Sequence, residues 1–242
     1  MRFASSLRSR WLLGLAATAM LTQAPAALAQ VESATEPVPR TGYWMMMHEN
    51  FLDRAKEGNI DLLFLGDSIT QGWGGGGKAV WERFYGPRNT ANFGIGGDRT
   101  QHMLWRLDHG EVDGIHPKAV VLMIGTNNMD SNPPEEIAEG VTAIIKKLRE
   151  KLPDTKILLL GVFPRDQNAS ARRERLGAVN ERIARLDDGT MVKYLDIGKS
   201  FLSDDGTISK EIMPDFLHLS SRGYRIWADA MEPTLWSMLE GK

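Results

Sequence analysis

The sequence predicts one α/β domain, a mostly parallel sheet with helices packed on both faces. Three observations predict it. Short apolar runs recur along the chain, and four of them end at a glycine, as strands buried on both faces do. Segments with helical period lie between the runs. Neither an internal repeat nor a second composition regime interrupts the alternation across 242 residues. In such sheets the ligand crevice opens beyond the carboxyl ends of the strands, so the loops that follow the glycines are where chemistry is expected.

The first residues stand apart from this pattern. Arg2, Arg8 and Arg10 precede an apolar run from Trp11 to Leu21, and the small-residue stretch after it ends in Ala27-Leu28-Ala29, an A-x-A cleavage signature. The run is shorter than the roughly 20 residues that span a bilayer. Residues 1–29 are expected to be a signal peptide cleaved after Ala29, residues 30–40 a flexible lead-in, and residues 41–242 the folded domain. A secreted or periplasmic protein without stable membrane insertion follows from that reading.

Within the domain a helix is expected over 43–57, then a strand at Ile60–Leu65 ending at Gly66. Thr90–Phe93 ends at Gly94, Ala119–Ile124 at Gly125 and Ile157–Leu160 at Gly161; Met191–Leu195 is a fifth strand candidate. Ile137, Val141, Ile144, Ile145, Leu148 and Leu152 recur at steps that form one buried stripe of a helix. Pro133 and Pro134 start that helix and Pro153 stops it. Further helices are expected over 98–108, capped by Asp98, over 168–187, and over 220–240, capped by Ser220 or Ser221.

Composition narrows the chemistry. The chain has no cysteine, which excludes disulfides, thiolate metal sites, thiol nucleophiles and a lipid-bearing cysteine after the leader. Its net charge is −2, more negative without the three leader arginines, and there is no basic run with interleaved aromatics. Nucleic acid is therefore not an expected partner, and a neutral or weakly charged small-molecule or carbohydrate ester fits better.

Ser68 lies at a strand-to-helix junction, Gly66-Asp67-Ser68-Ile69-Thr70. A tight turn there would expose its hydroxyl as a nucleophile if a base accepts the proton, yet serine at such a place also serves as a helix cap. Thr70 occupies the position where a G-x-S-x-G elbow has its second glycine, so that motif is absent. His218 is the natural base. Asp215 precedes it by three residues, a spacing that lets a carboxylate accept from Nδ1 and leave Nε2 free for Ser68; a surface capping pair is the plainer reading. An oxyanion site needs preplaced donors, which the Gly97 N–H and the Asn127 amide could supply, and both residues also suit ordinary turns.

The ordered set Gly66-Asp67-Ser68, Asn92 to Asp98, Leu104-Trp105-Arg106-Leu107, Gly125-Thr126-Asn127-Asn128 and Asp215-Phe216-Leu217-His218-Leu219 resembles the SGNH (GDSL) hydrolases. It is most like the branch holding the catalytic subunits of the intracellular platelet-activating-factor acetylhydrolase, over roughly residues 60–240. The resemblance implies a three-layer, flavodoxin-like sandwich with a five-stranded parallel sheet between helices. It also implies Ser68 as nucleophile, His218 as base supported by Asp215, and oxyanion donors at the Ser68 N–H, the Gly97 N–H and the Asn127 side chain. It implies no metal and no cofactor.

Two features depart from that branch, the leader and the loop Trp73-Gly74-Gly75-Gly76-Gly77. The loop reads equally as a moving cover or a plain connector, and Trp73 as a sugar platform, an acyl-pocket wall or a core residue. His102 could lie near the cleft, while His102, His109 and His116 do not form a metal set. Gly94-x-Gly96-x-x-Arg99 lacks the last glycine of a dinucleotide fingerprint. Met45-Met46-Met47 is expected in core packing. The reading is a serine esterase for short-chain, acetyl-type esters acting through an acyl-serine. Acetylated carbohydrate is the first substrate expectation, and lysophospholipase or thioesterase activity the alternative. A non-catalytic carbohydrate-binding domain is the rival from another class.

Overall fold

Parallel strands covered on both faces have to be apolar at every position, and the central strands of this protein are. The computed structural model describes Met1 and residues 32–240, so the leader and its cleavage site lie outside the described residues. Helix α1 spans Tyr43–Lys56, β1 Leu62–Gly66, the single turn α2 Ser68–Gln71, and α3 Lys78–Phe84. Next come β2 Thr90–Gly94, α4 Thr100–Asp108, β3 Ala119–Met123, α5 Pro134–Lys151 and β4 Lys156–Leu160. Helix α6 Ala171–Ile183, β5 Val192–Leu195 and α7 Ser221–Glu240 complete the fold.

The five strands are all parallel in the order β2-β1-β3-β4-β5. Every residue of β1 and β3 is buried. Successive side chains point to opposite faces. Leu63, Leu65, Val120, Leu122, Ile157 and Leu159 therefore join one core with α1, α4, α5 and α6. Leu62, Phe64, Val121, Met123, Leu158 and Leu160 join a second core with α3 and α7. The result is the three-layer α/β sandwich expected from the sequence.

The strand order determines where a site can form. After β1 the chain moves outward to β2, then crosses back to β3 on the other side of β1. The loops after β1 and β3 diverge there and leave a crevice at the carboxyl edge. Ser68 follows β1, Gly97 follows β2 and Asn127 follows β3. Two glycines let α2 sit directly on this edge. A Cβ at Gly66 would collide with Thr70 and the Met123 carbonyl, and one at Gly94 with the Gln71 backbone.

Three expectations are corrected, and one open reading is decided. Residues 32–40 are not loose: the Ala34 N–H donates to Glu136, Thr100 Oγ1 donates to the Ala34 carbonyl, and Val38 N–H donates to the Gln101 carbonyl. Asp98 does not cap α4, because its carboxylate faces Trp44 and Arg106 inside the domain. Met46 is exposed, while Met45 and Met47 pack against the core. Trp73 is fully buried against Tyr85, Tyr224 and Trp227, with ring centroids 4.6–5.4 Å apart, so it is neither a sugar platform nor a wall of the cleft.

Candidate active site

The hydroxyl of Ser68 is free for chemistry because its neighbour does the capping. Asp67 is the cap of α2, its Oδ1 accepting the Ile69 N–H at 2.9 Å, and Ser68 is the first helical residue. The Ser68 N–H therefore has no intrahelical acceptor. Its Oγ lies 2.9 Å from His218 Nε2.

His218 is held by a tight bend rather than a helical turn. Asp215 Oδ1 accepts the N–H groups of Leu217 and His218 at 3.0 and 2.7 Å, and Asp215 Oδ2 lies 2.7 Å from His218 Nδ1. A carboxylate can only accept, so Nδ1 carries the proton and Nε2 presents a lone pair to the Ser68 hydroxyl. Phe216, between them, sits at φ 61°, a left-handed conformation that a bulky residue rarely adopts. Two bonds brace that backbone: Phe216 N–H donates to Met213 and the Phe216 carbonyl accepts from Asp166. Burial pushes the Asp215 carboxyl up, but hydrogen bonds from the His218 ring and the two backbone N–H groups outweigh it. The carboxyl ends below its ordinary value of 3.8.

Gly97 and Asn127 converge on the same edge. Gly97 has φ 77°, where L side chains are strained, and no protein acceptor takes its N–H among the described residues. Gly96 adjoins Ser68, for a Cβ there would lie 3.8 Å from Ser68 Cβ. Asn127 stands in the 3-10 turn Thr126–Asn128 and donates one amide hydrogen to the Asp98 carbonyl at 2.9 Å. Its second amide hydrogen remains for a ligand. The adjacent Asn128 is fully buried and binds Thr100, Gln101 and Asn132, so the two asparagines face different tasks.

Further polar residues support this edge from behind. Gln71 Oε1 accepts the Gly96 N–H at 2.9 Å. Asp98, fully buried, accepts from Trp44 Nε1 at 2.6 Å and pairs with Arg106 Nε at 3.0 Å and Arg40 Nη1 at 3.2 Å. Arg106 also binds Glu111 and the Phe93 carbonyl, and Glu111 meets His48. This chain of buried charges underlies the Gly96–Asp98 loop. His102 is buried in it and accepts the Arg99 N–H through Nδ1. Burial, with the charges of Arg40, Arg99 and Arg106 behind it, lowers its pKa to about 3, so it stays neutral. Asp67 shows the opposite effect. Complete burial, aided by the charge of Asp98, raises its carboxyl to about 7 against the lowering effect of the Ile69 N–H.

The cleft beside Ser68 holds about 580 Å3 and is lined by Met47, Gln71, Gly72, Gly74, Gly75 and Gly94. Tyr43, exposed at the start of α1, has its hydroxyl 3.5 Å from Gln71 Nε2, which places an aromatic ring at the rim. A larger cavity, about 750 Å3, lies at the other end of β4 beside Lys156 and Pro233, away from this chemistry. No group of side chains among the described residues could hold a metal ion, and no described helix is long and apolar enough to cross a membrane.

Comparison with known proteins accords with this geometry. Residues 64–226 match the model of the GDSL-like lipase/acylhydrolase family. The chain is 37% identical over 212 residues to platelet-activating factor acetylhydrolase IB subunit alpha1 of Homo sapiens, covering 85% of this chain and 90% of that protein. It is 36% identical over 213 residues to the alpha2 subunit of Rattus norvegicus, covering 88% and 92%. Among solved structures, a GDSL-like lipase from Bacteroides thetaiotaomicron superposes with a TM-score of 0.60 at 17% identity, over 78% of this chain and 98% of that one. A carbohydrate acetylesterase family member from Sinorhizobium meliloti gives 0.57 at 15% identity, over 75% and 100%. These two likenesses concern the fold alone. The family match and the extent of the identity together make the chain a member of the GDSL-like lipase/acylhydrolase family, an ester hydrolase.

Proposed function

We propose that this hydrolase cleaves short-chain, acetyl-type carboxylic esters through an acyl-Ser68 intermediate. The observation that carries the proposal is the unbroken relay from Asp215 through His218 to Ser68, with contacts of 2.7 and 2.9 Å. His218 Nε2 takes the Ser68 proton as Oγ attacks the ester carbonyl carbon. The resulting oxyanion is met by the N–H groups of Ser68 and Gly97 and by the Asn127 amide. Collapse breaks the bond to the alcohol, which leaves with the proton held on His218. Water, deprotonated by His218, then attacks the acyl-Ser68 carbonyl, and the free acid departs from a regenerated serine.

For the substrate, the relatives named acetylhydrolases support acetyl as the acyl group. Met47 in the cleft and the exposed Tyr43 at its rim support an alcohol with an apolar part, such as an acetylated lipid. The burial of Trp73 removes one ring that could have stacked on an acetylated carbohydrate. The leader reading of residues 1–29 adds a secreted or periplasmic setting to the proposal.

The test compares aryl acetate, butyrate and octanoate, then an acetylated lysolipid against an acetylated sugar, with wild type and Ser68→Ala. Turnover should fall with acyl length and drop by at least about 10³-fold in Ser68→Ala. Equal turnover of acetate and octanoate, or full activity in Ser68→Ala, would contradict the proposal.

A further inference from the structure

One peptide, between Gly96 and Gly97, carries the Gly97 N–H on one side and the Gly96 carbonyl on the other. It is trans, as are all peptides of the described residues, so the two groups point in opposite directions. The carbonyl is occupied by Arg40, whose Nη1 donates to Gly96 O at 2.8 Å and to Asp98 Oδ1 at 3.2 Å. The guanidinium also lies against Gly97, since a Cβ there would meet Nη1 and Nη2 at 3.3 Å each. Gln71 binds the N–H of Gly96 and Asn127 binds the carbonyl of Asp98, so the peptide is held at both ends.

We infer that Arg40 is a positioning residue for ester hydrolysis, acting through the Gly96–Gly97 peptide. It turns the Gly97 N–H away from the guanidinium and strengthens that N–H as a donor by binding the carbonyl of the same peptide. The inference rests on the reading of Ser68 as nucleophile and the Gly97 N–H as oxyanion donor. The physical reason is amide resonance: a cation on the carbonyl draws electron density from the nitrogen, and hydrogen bonds in series reinforce one another. The gain is largest where the acceptor carries a full negative charge, in the tetrahedral intermediate, and small on the neutral ester. Arg40 should therefore act on kcat rather than KM. Its own place is secured by Asp98, which Trp44 and Arg106 hold from beneath. The segment that delivers Arg40 is tied down at Ala34 and Val38, which gives residues 32–40 a part in the chemistry.

The test measures kcat and KM on aryl acetate for wild type, Arg40→Ala, Arg40→Lys and Ser68→Ala, with thermal unfolding of each. Phenylboronate serves as a tetrahedral probe of the oxyanion site. Arg40→Ala should lower kcat by about 10- to 100-fold, less than outright loss of a donor, with KM within about twofold. Phenylboronate binding should weaken in parallel. Arg40→Lys, which keeps the cation, and added methylguanidinium with Arg40→Ala should each recover part of the loss. Wild-type kcat in Arg40→Ala beside an inactive Ser68→Ala would overturn the inference and leave the hydrolytic reading intact. Full turnover in Ser68→Ala would overturn both. If Arg40→Ala fails to fold, Arg40→Gln, with an uncharged amide donor, is read in its place: lowered kcat supports the inference and wild-type kcat contradicts it.

Discussion

His218 Nε2 stands 2.9 Å from Ser68 Oγ although 150 residues separate them in the chain. The contact depends on Asp215, whose two oxygens do different work: Oδ1 shapes the bend through two backbone N–H groups and Oδ2 orients the ring. In Asp215→Asn the backbone N–H groups would keep the amide oxygen on their side and turn Nδ2 toward the ring. That donor forces the proton onto Nε2, where it cannot accept from Ser68. Asp215→Asn should lower kcat by about 10²–10⁴-fold. Asp215→Ala should lose less, because the site is open enough for water to accept from Nδ1. Equal activity of Asp215→Asn and wild type would show that the carboxylate does not set the tautomer.

The two adjacent asparagines should separate cleanly. Asn127→Ala removes the proposed oxyanion donor and should lower kcat by about 10²–10³-fold with little change in unfolding temperature. Asn128→Ala empties a fully buried set of hydrogen bonds and should cost about 2–3 kcal/mol of stability. Denaturant unfolding and steady-state rates on both variants check the division.

Asp67 gives a pH signature. Its carboxyl is raised to about 7 from an ordinary 3.8, so between these values the folded protein holds a proton that the unfolded chain has released. This contribution to stability is present at low pH and is lost as pH rises through about 7. The full rise corresponds to about 4 kcal/mol, an upper figure. Asp67→Asn, which keeps the Ile69 N–H acceptor, should gain stability relative to wild type between pH 5 and pH 8. Denaturant curves at the two pH values test it; a difference that stays constant with pH would refute the buried titration.

The charges beneath the Gly96–Asp98 loop should be costly to break. Arg106 is fully buried with Asp98 and Glu111, and Arg106→Met leaves Glu111 without its arginine and Asp98 with Arg40 alone. A loss of about 3–5 kcal/mol is expected in denaturant unfolding.

The strands were legible because each is an apolar run stopped by a turn, and the α/β class followed. Their spatial order was not, since no single run encodes the crossing from β2 back past β1 to β3. Ser68, Gly97, Asn127, Asp215 and His218 each had a plain cap or turn reading alone, and it was their ordered set, through the family resemblance, that marked them. Arg40, Gln71 and Glu111 did not, because their roles are contacts across long stretches of chain or within buried pairs. Asp98 looked like a cap from its place before α4. Inside the domain, two arginines and an indole N–H outcompete the helix for its carboxylate. Trp73 beside four glycines read equally as a platform, a pocket wall or a core residue; Gly77 leaves the room in which its ring packs on Tyr224, and the core takes it.

The central claim is that the acyl group passes through Ser68. Wild-type protein quenched in acid during turnover of aryl acetate, then digested and measured by mass spectrometry, tests it directly. The account predicts one acetyl group on the peptide containing Ser68, absent from Ser68→Ala. Turnover with no acetyl group on that peptide, or acetylation of another residue at the rate of product release, would contradict it.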